Sequence, residues 1–201
     1  MNLQQLFKTQ AELDKKIVEE KGLQGQDLLD KKILALQVEL GELAQNWRGF
    51  KFWSEDQEPR TKTYKSKQAS GGEFYREIHE VNPMLEEYVD CLHFILSIGL
   101  EEYEHYHARF PIKMNFYDGI SVVRYENITK QFNRLFDNIG YLEDCIFEGE
   151  LGTEGEVSGQ YKFIFRMFLG LGEMLGFTWD EIEKAYYAKN KENYERQENG
   201  Y

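Results

Sequence analysis

Two acidic patterns stand out by residue type and spacing. In ILALQVELGELAQNWRGF, Glu39, Glu42 and Asn46 recur at i, i+3 and i+7, and in LEEYVDCLHFILSIGL, Glu87, Asp90 and Phe94 do the same. At about 100° per residue each set falls on one helical face. Around the first set, Ile33, Leu36, Leu40, Leu43 and Trp47 form one apolar arc, and Leu34, Ala35 and Val38 form a second. The acids occupy the gap between these arcs, which points them at an interior or a cleft. Four carboxylates gathered without cations repel one another and are desolvated at about several kcal/mol each, so shared coordination of a divalent cation is the chemistry they favour. Oxygen-only ligands suit Mg²⁺ or Mn²⁺ better than zinc. One such motif alone reads as a solvated face; two, each embedded in apolar arcs, argue for a metal site.

The C-terminal run AYYAKNKENYERQENGY supplies opposite charge. Lys189, Asn193 and Arg196 fall at i, i+4 and i+7, with Asn190 and Gln197 beside them. This stripe reads either as pairing with surface acids or as a clamp for phosphate oxygens facing the metal. Arg48 and Lys51 are placed to extend the clamp. Glu102-x-x-His105 and Glu104-x-x-His107 offer the E-x-x-H element of a di-iron bundle, but both sit at the end of one helix, whereas a di-iron site draws them from two.

These residues need helices to position them. Apolar periodicity predicts helices from Leu3 to Glu19, about Asp27 to Phe52, Asn82-Pro83 to about His107, about Ser121 to Phe147, Gln160 to Met174, and Thr178 toward Asn199. Asn82-Pro83 is an N-cap followed by proline at the first helical position, and Thr178 with Glu181 forms a capping box. Residues 54–82 are polar and read as a long loop, a candidate lid, and residues 149–159 read as a turn. No strand longer than Ile120 to Val123 is expected. The fold class is all-α, a bundle of about six helices forming one domain over residues 1–201.

Composition narrows function. The 201 residues carry a net charge of −12, which disfavours a surface for gripping a nucleic-acid backbone. Cys91 and Cys145 are too few for a disulfide scaffold and lack metal-ligand spacing. No apolar run is long enough to span a membrane, and MNLQQLFKTQ lacks a signal-peptide layout, so the expected setting is the cytosol.

Taken together, E-x-x-E at Glu39 and Glu42, FKFW at Phe50 to Trp53, E-x-x-D at Glu87 and Asp90, DCLHF at Asp90 to Phe94 and the ending KNKENYERQENGY resemble the dimeric dUTPase family of all-α NTP pyrophosphatases. The likeness runs from Leu6 to Tyr201. It implies Mg²⁺ held by Glu39, Glu42, Glu87 and Asp90, with Glu42 or Glu39 acting on the attacking water. It also implies a homodimer that hydrolyses dUTP, and dUDP. Gln10 matches the family's uracil-facing glutamine, Trp53 an aromatic that closes over the base, and Phe94 a ring packed on the deoxyribose. Asn46 matches a polar position beside the metals, and Lys189, Asn190, Asn193 and Arg196 match contacts to substrate. Two features depart from the pattern: Leu13 stands where some members carry asparagine, and Lys62 to Tyr75 matches no motif. Leu13 keeps open a relative with another base preference, such as a dCTP hydrolase. The polar loop keeps open a nucleotide-sensing regulator that binds a protein partner.

Overall fold

A computed structural model describes residues 2–68, 76–103, 108–109, 121–147 and 154–199. Among these, six helices carry the fold: α1 (Leu3–Glu20), α2 (Leu29–Trp47), α3 (Pro83–Leu100), α4 (Ile128–Phe147), α5 (Glu154–Met174) and α6 (Trp179–Glu198). The all-α expectation holds. Two short antiparallel pairs accompany the helices: β1 (Thr63–Gln68) with β2 (Arg76–Val81), and β3 (Glu102–Tyr103) with β4 (Ala108–Arg109).

Helix starts follow local chemistry. The Asn82 side chain accepts from the Leu85 N–H at 3.1 Å and Pro83 opens α3. Thr178 and Glu181 form the reciprocal capping box that opens α6. At α2 the Asp27 carboxylate accepts from the Leu29 N–H at 3.0 Å, one residue before the N-cap position, which Leu28 holds without a side-chain cap. The helix stops at Trp47 because Arg48 takes a left-handed conformation, φ 65°, and does not run on to Phe52. From there the chain folds back on itself: the Arg60 N–H donates to the Asn46 carbonyl at 2.8 Å, and the Met84 N–H donates to the Arg60 carbonyl at 3.1 Å. Residues 48–62 are thereby anchored between the end of α2 and the start of α3.

Several expectations are corrected. The polar stretch 54–82 contains a hairpin, Thr63 pairing with Val81 and Gln68 with Arg76. Helix α3 ends at Leu100 instead of continuing to His107, because Glu101 is extended, and the Glu101 side chain pairs with Lys32 of α2. Residues 104–107, which hold both E-x-x-H histidines, lie outside the described residues, as do 69–75 and 110–120. Residues 121–125 form no strand, and α5 begins at Glu154, inside the stretch read as a turn.

Helix α3 is the hub, packed against α1, α2, α5 and α6. Its residues Val89, Cys91, Leu92, Ile95 and Leu96 are all but sealed from solvent. Tyr88 stacks on Phe168 at 4.3 Å and donates its hydroxyl to the Phe168 carbonyl at 3.1 Å. Gly172 makes room for it, since a Cβ there would lie 2.5 Å from the Tyr88 oxygen. Helix α5 buries Val157, Phe165, Met167 and Leu171 within the chain. Leu34 and Val38 of α2 do the opposite: expected to flank a buried stripe, they are 61% and 51% exposed. Cys91 and Cys145 are free and buried. No helix among the described residues is long and apolar enough to cross a membrane.

The segment before α4 is held by one side chain. Gln131 is fully buried, donates to the Val123 and Met167 carbonyls at 2.8 and 2.7 Å, and accepts from the Tyr125 N–H at 2.8 Å. Gln131→Ala strands the Tyr125 N–H and the Val123 carbonyl, while the Met167 carbonyl keeps its bond within α5, and at about 1 kcal/mol or more each it lowers unfolding free energy by about 2 kcal/mol, read from the urea midpoint.

Candidate active site

Helices α2 and α3 lie side by side, so their acidic faces meet. Ligand oxygens of Glu39, Glu42 and Glu87 come within 4.8 Å of one another. Glu39 and Glu87 are half-buried, while Glu42 faces solvent. The Asn46 amide donates to Glu87 Oε1 at 3.3 Å, which puts Asn46 beside the acids as expected. Asp90 is drawn aside by α6: Lys189 Nζ donates to Asp90 Oδ2 at 2.6 Å, and both side chains are largely buried.

The electrostatics record this crowding. Burial first, then repulsion from Asp90, Glu42 and Glu87, pushes the Glu39 carboxyl up to about 7, against the pull of Lys189. Glu87 is raised by burial and by Asp90 and Glu42. Burial raises Asp90 too, opposed by Lys189. Burial pulls Lys189 down, but the Asp90 charge and hydrogen bond outweigh it and hold the ammonium above its ordinary value. Like charges in partial burial favour protons or a cation between them.

A cavity of about 290 Å³ opens beside this cluster. Glu39, Asp90, Lys189, Asn193 and Arg196 line one end, Phe94 and His93 line the wall, and Gln10, Asp14, Lys32 and Ser97 line the other end. The cationic stripe of α6 therefore does face the acids. Arg196 also pairs with Glu192 at 2.7 Å. Asn190 is buried but does not line the cavity. Lys51 and Trp53 lie elsewhere: the Lys51 ammonium sits 5.7 Å from the Phe50 ring centroid, and Trp53, 66% exposed, meets Phe52 and Phe50 edge-on.

Residues that spacing did not single out complete the far end. Gln10 donates to Asp14 Oδ1 at 2.7 Å, Ser97 donates to Asp14 Oδ2 at 2.6 Å, and Lys32 stands 3.7 Å from the same oxygen. His93 and Tyr186 both meet the Gln10 carbonyl oxygen, at 2.7 and 2.8 Å. The signal for them was local: Gln10 and Asp14 are i, i+4 on α1, as His93 is one turn beyond Asp90 on α3.

This is an all-α bundle whose carboxylates, from two helices, and cations, from a third, share one cavity. The dUTPase family matches residues 2–69 and 75–201, and the chain belongs to that family. It is also 44% identical over 54 residues to a dCTP pyrophosphatase of Enterobacteria phage T4, covering 27% of this chain and 29% of the phage protein. A dCTP pyrophosphatase of Enterobacteria phage LZ5 is 37% identical over 60 residues, 30% of this chain and 33% of that protein. The matches thus span about a third of the length of these curated relatives.

The raised Glu39 carboxyl has a measurable consequence for stability. A carboxyl raised in the folded state binds its proton more tightly there than in the unfolded chain, so stability falls as pH rises from about 4.5 to about 7. In chelator, the melting temperature should decline across that window. Glu39→Gln should flatten the decline, and Mg²⁺ should raise the melting temperature more at pH 8 than at pH 5.

Proposed function

We propose that this protein hydrolyses dUTP to dUMP and pyrophosphate, and dUDP to dUMP and phosphate, in the cytosol. The observation that carries the reading is that Glu39 and Asp90 line one end of a single cavity with Lys189, Asn193 and Arg196, while Glu42 and Glu87 cluster with Glu39 beside it. Family membership supports the nucleotide, and both phage relatives are named as pyrophosphatases.

Glu39, Glu42, Glu87 and Asp90 fit a hard divalent cation. Their donors are all oxygen, and the repulsion that adds to burial in raising Glu39 and Glu87 is what a cation relieves. We assign Mg²⁺, with Mn²⁺ as substitute; when bound it supplies charge neutralisation for the phosphates and polarises the phosphoryl oxygens. Glu42, the most open of the three acids, orients the attacking water and takes its proton, with Glu39 as the other candidate for that role. Asn46 fixes Glu87 through its amide. Lys189, Asn193 and Arg196 hold phosphate oxygens, with Lys189 exchanging part of its Asp90 contact for them. Phe94 packs against the deoxyribose, where a ribose 2′-hydroxyl would be crowded, and Gln10 reads the base. Asn190 acts from beneath the α6 face. Lys51 and Trp53 contribute if residues 50–53 turn inward on the bound base or reach the cavity of a second copy.

A homodimer belongs to this reading. Leu34 and Val38 leave an apolar arc open on α2, the helix that carries two of the acids, and a second copy would cover it.

The phage relatives' names favour a second reading, hydrolysis of dCTP. One panel separates the two: dUTP, dCTP, dTTP and UTP incubated with Mg²⁺ or with chelator, products resolved by ion-exchange chromatography. Conversion of dUTP alone, lost in chelator, is the expected result; preference for dCTP moves the assignment to the second reading, and no turnover of any nucleotide removes both. Glu39→Gln should lower kcat/KM by more than about 100-fold, since even outer-shell partners of metal ligands cost 10- to 100-fold, with unchanged far-ultraviolet circular dichroism.

A further inference from the structure

At the acidic end, one hydrogen bond engages two residues that the proposed reaction needs apart. Lys189 Nζ donates to Asp90 Oδ2 at 2.6 Å, and the two side chains are only 13% and 19% exposed. Both residues line the cavity. Asp90 stands one turn beyond Glu87 on α3, yet among the described residues the oxygens that come within 4.8 Å of one another belong to Glu39, Glu42 and Glu87, without Asp90. Lys189 shares its end of the cavity with Asn193 and Arg196, yet its ammonium is turned onto the acid. The carboxylate that would extend a cation's oxygen shell and the ammonium that would meet a phosphate thus hold each other.

Such a pair is easier to exchange than to break, because removing one partner of a buried ion pair leaves the other charge uncompensated. If Asp90 turned to a divalent cation alone, the Lys189 ammonium would be stranded beside that cation. If Lys189 turned to a phosphate alone, Asp90 would be left bare against Glu39 and Glu87, whose charges it repels. With cation and phosphate present together, both halves are satisfied. The exchange needs no movement of α6, since Lys189 carries its charge on a flexible four-carbon stem with three rotatable donors. Tyr186, three residues earlier, keeps the helix docked through its hydrogen bond to Gln10 and its stack on His93.

Resting on the proposed nucleotide reading, we infer that Lys189 is a latch on Asp90, an autoinhibitory contact that limits the cation site to Glu39, Glu42 and Glu87 until phosphate oxygens draw the ammonium away. Cation and phosphate binding are then coupled, each strengthening the other by the same factor. In the free protein Asp90 is spent on Lys189, so the Asp90–Lys189 pair as a whole adds nothing to the hold on a cation. With phosphate oxygens bound to Lys189, Asp90 joins the other three acids. When the phosphate leaves, Lys189 returns to Asp90 and the hold on the cation loosens with it.

The test measures Mn²⁺ dissociation constants, from the electron paramagnetic resonance of the free ion, for the full-length protein alone and with saturating α,β-imido-dUTP or inorganic pyrophosphate. In the wild type either anion should tighten Mn²⁺ at least about tenfold, inside the range of about 5- to 150-fold typical of coupled sites. Lys189→Met should tighten Mn²⁺ at least about tenfold without anion. Arg196→Met, which removes a cation from the same end of the cavity without freeing Asp90, should tighten it about threefold or less. Because Lys189→Met leaves Asp90 buried and unpaired, the double variant Asp90→Asn with Lys189→Met, which buries no charge at either position, is read beside it. Without anion the double variant should match wild-type Mn²⁺ affinity within about threefold, and with anion it should fall at least about tenfold below wild type. A double variant at least about tenfold weaker than wild type without anion shows Asp90 holding the cation in the free protein, and it overturns the latch while the pyrophosphatase reading stands. Equal Mn²⁺ affinity in Lys189→Met and wild type, or anions without effect on Mn²⁺ in a wild type that cleaves nucleotide, does the same. A wild type that cleaves no nucleoside triphosphate and shows no anion effect on Mn²⁺ overturns both.

Discussion

Helix α3 cannot turn. Val89, Cys91, Leu92, Ile95 and Leu96 commit most of its circumference to the core, and four other helices close on it. Glu87 and Asp90 are left on the one arc that faces α2 and α6, where Glu39 and Glu42 approach from the other side. The resulting repulsion is the constraint on which the surrounding arrangement rests. With burial it raises the carboxyls of Glu39 and Glu87, and three responses to it are built into the chain. Asn46 donates to Glu87, Lys189 neutralises Asp90, and Glu42 stays in solvent. None of these neutralises Glu39 and Glu87, which is why the cluster favours a further positive charge.

Lys189 also ties the packing to the electrostatics. Its ion pair with Asp90 is mostly buried, and breaking one partner of such a pair leaves an uncompensated charge. Helix α6 is thereby fixed against α3 by the residue that also faces the cavity. The same helix sends Tyr186 to the far end, where it donates to Gln10 of α1 and stacks on His93 of α3. One face of α6, through Tyr186 and Lys189 three residues apart, thus touches both ends of the cavity.

What the sequence made legible was local. Both acidic motifs, the capping pairs at Asn82-Pro83 and Thr178–Glu181, and the cationic stripe of α6 are patterns within single helices, and each occupies the element it announced. What it hid depended on tertiary partners. The hairpin of β1 and β2 has no apolar alternation to signal it, so its pairing is invisible in a polar stretch. The early end of α3 depends on Glu101 pairing with Lys32, 69 residues away. Leu34 and Val38 look like core by periodicity, but whether an apolar arc finds a partner is a property of the assembled bundle. Of the site residues, Trp53 and Lys51 fell outside the cavity because the helix that carries their segment stops at Arg48 in a left-handed turn. His93 and Tyr186 went unassigned because their significance lies in converging on one oxygen from separate helices.

The two ends of the cavity differ in how they discriminate. At the acidic end the interaction is between charges, which vary slowly with distance and are indifferent to rotation, so any ligand bearing phosphates and a cation satisfies it. At the amide end the interaction is directional, and a single reversed donor leaves a buried group unpaired. Reversing Gln10 here is not a matter of rotating one amide. Its oxygen would then face the Asp14 carboxylate, which only accepts, so Asp14 fixes the amide while the Tyr186 hydroxyl and the His93 tautomer follow it. Reversing the amide within this architecture therefore has to alter Asp14, whereas the acidic end can stay as it is.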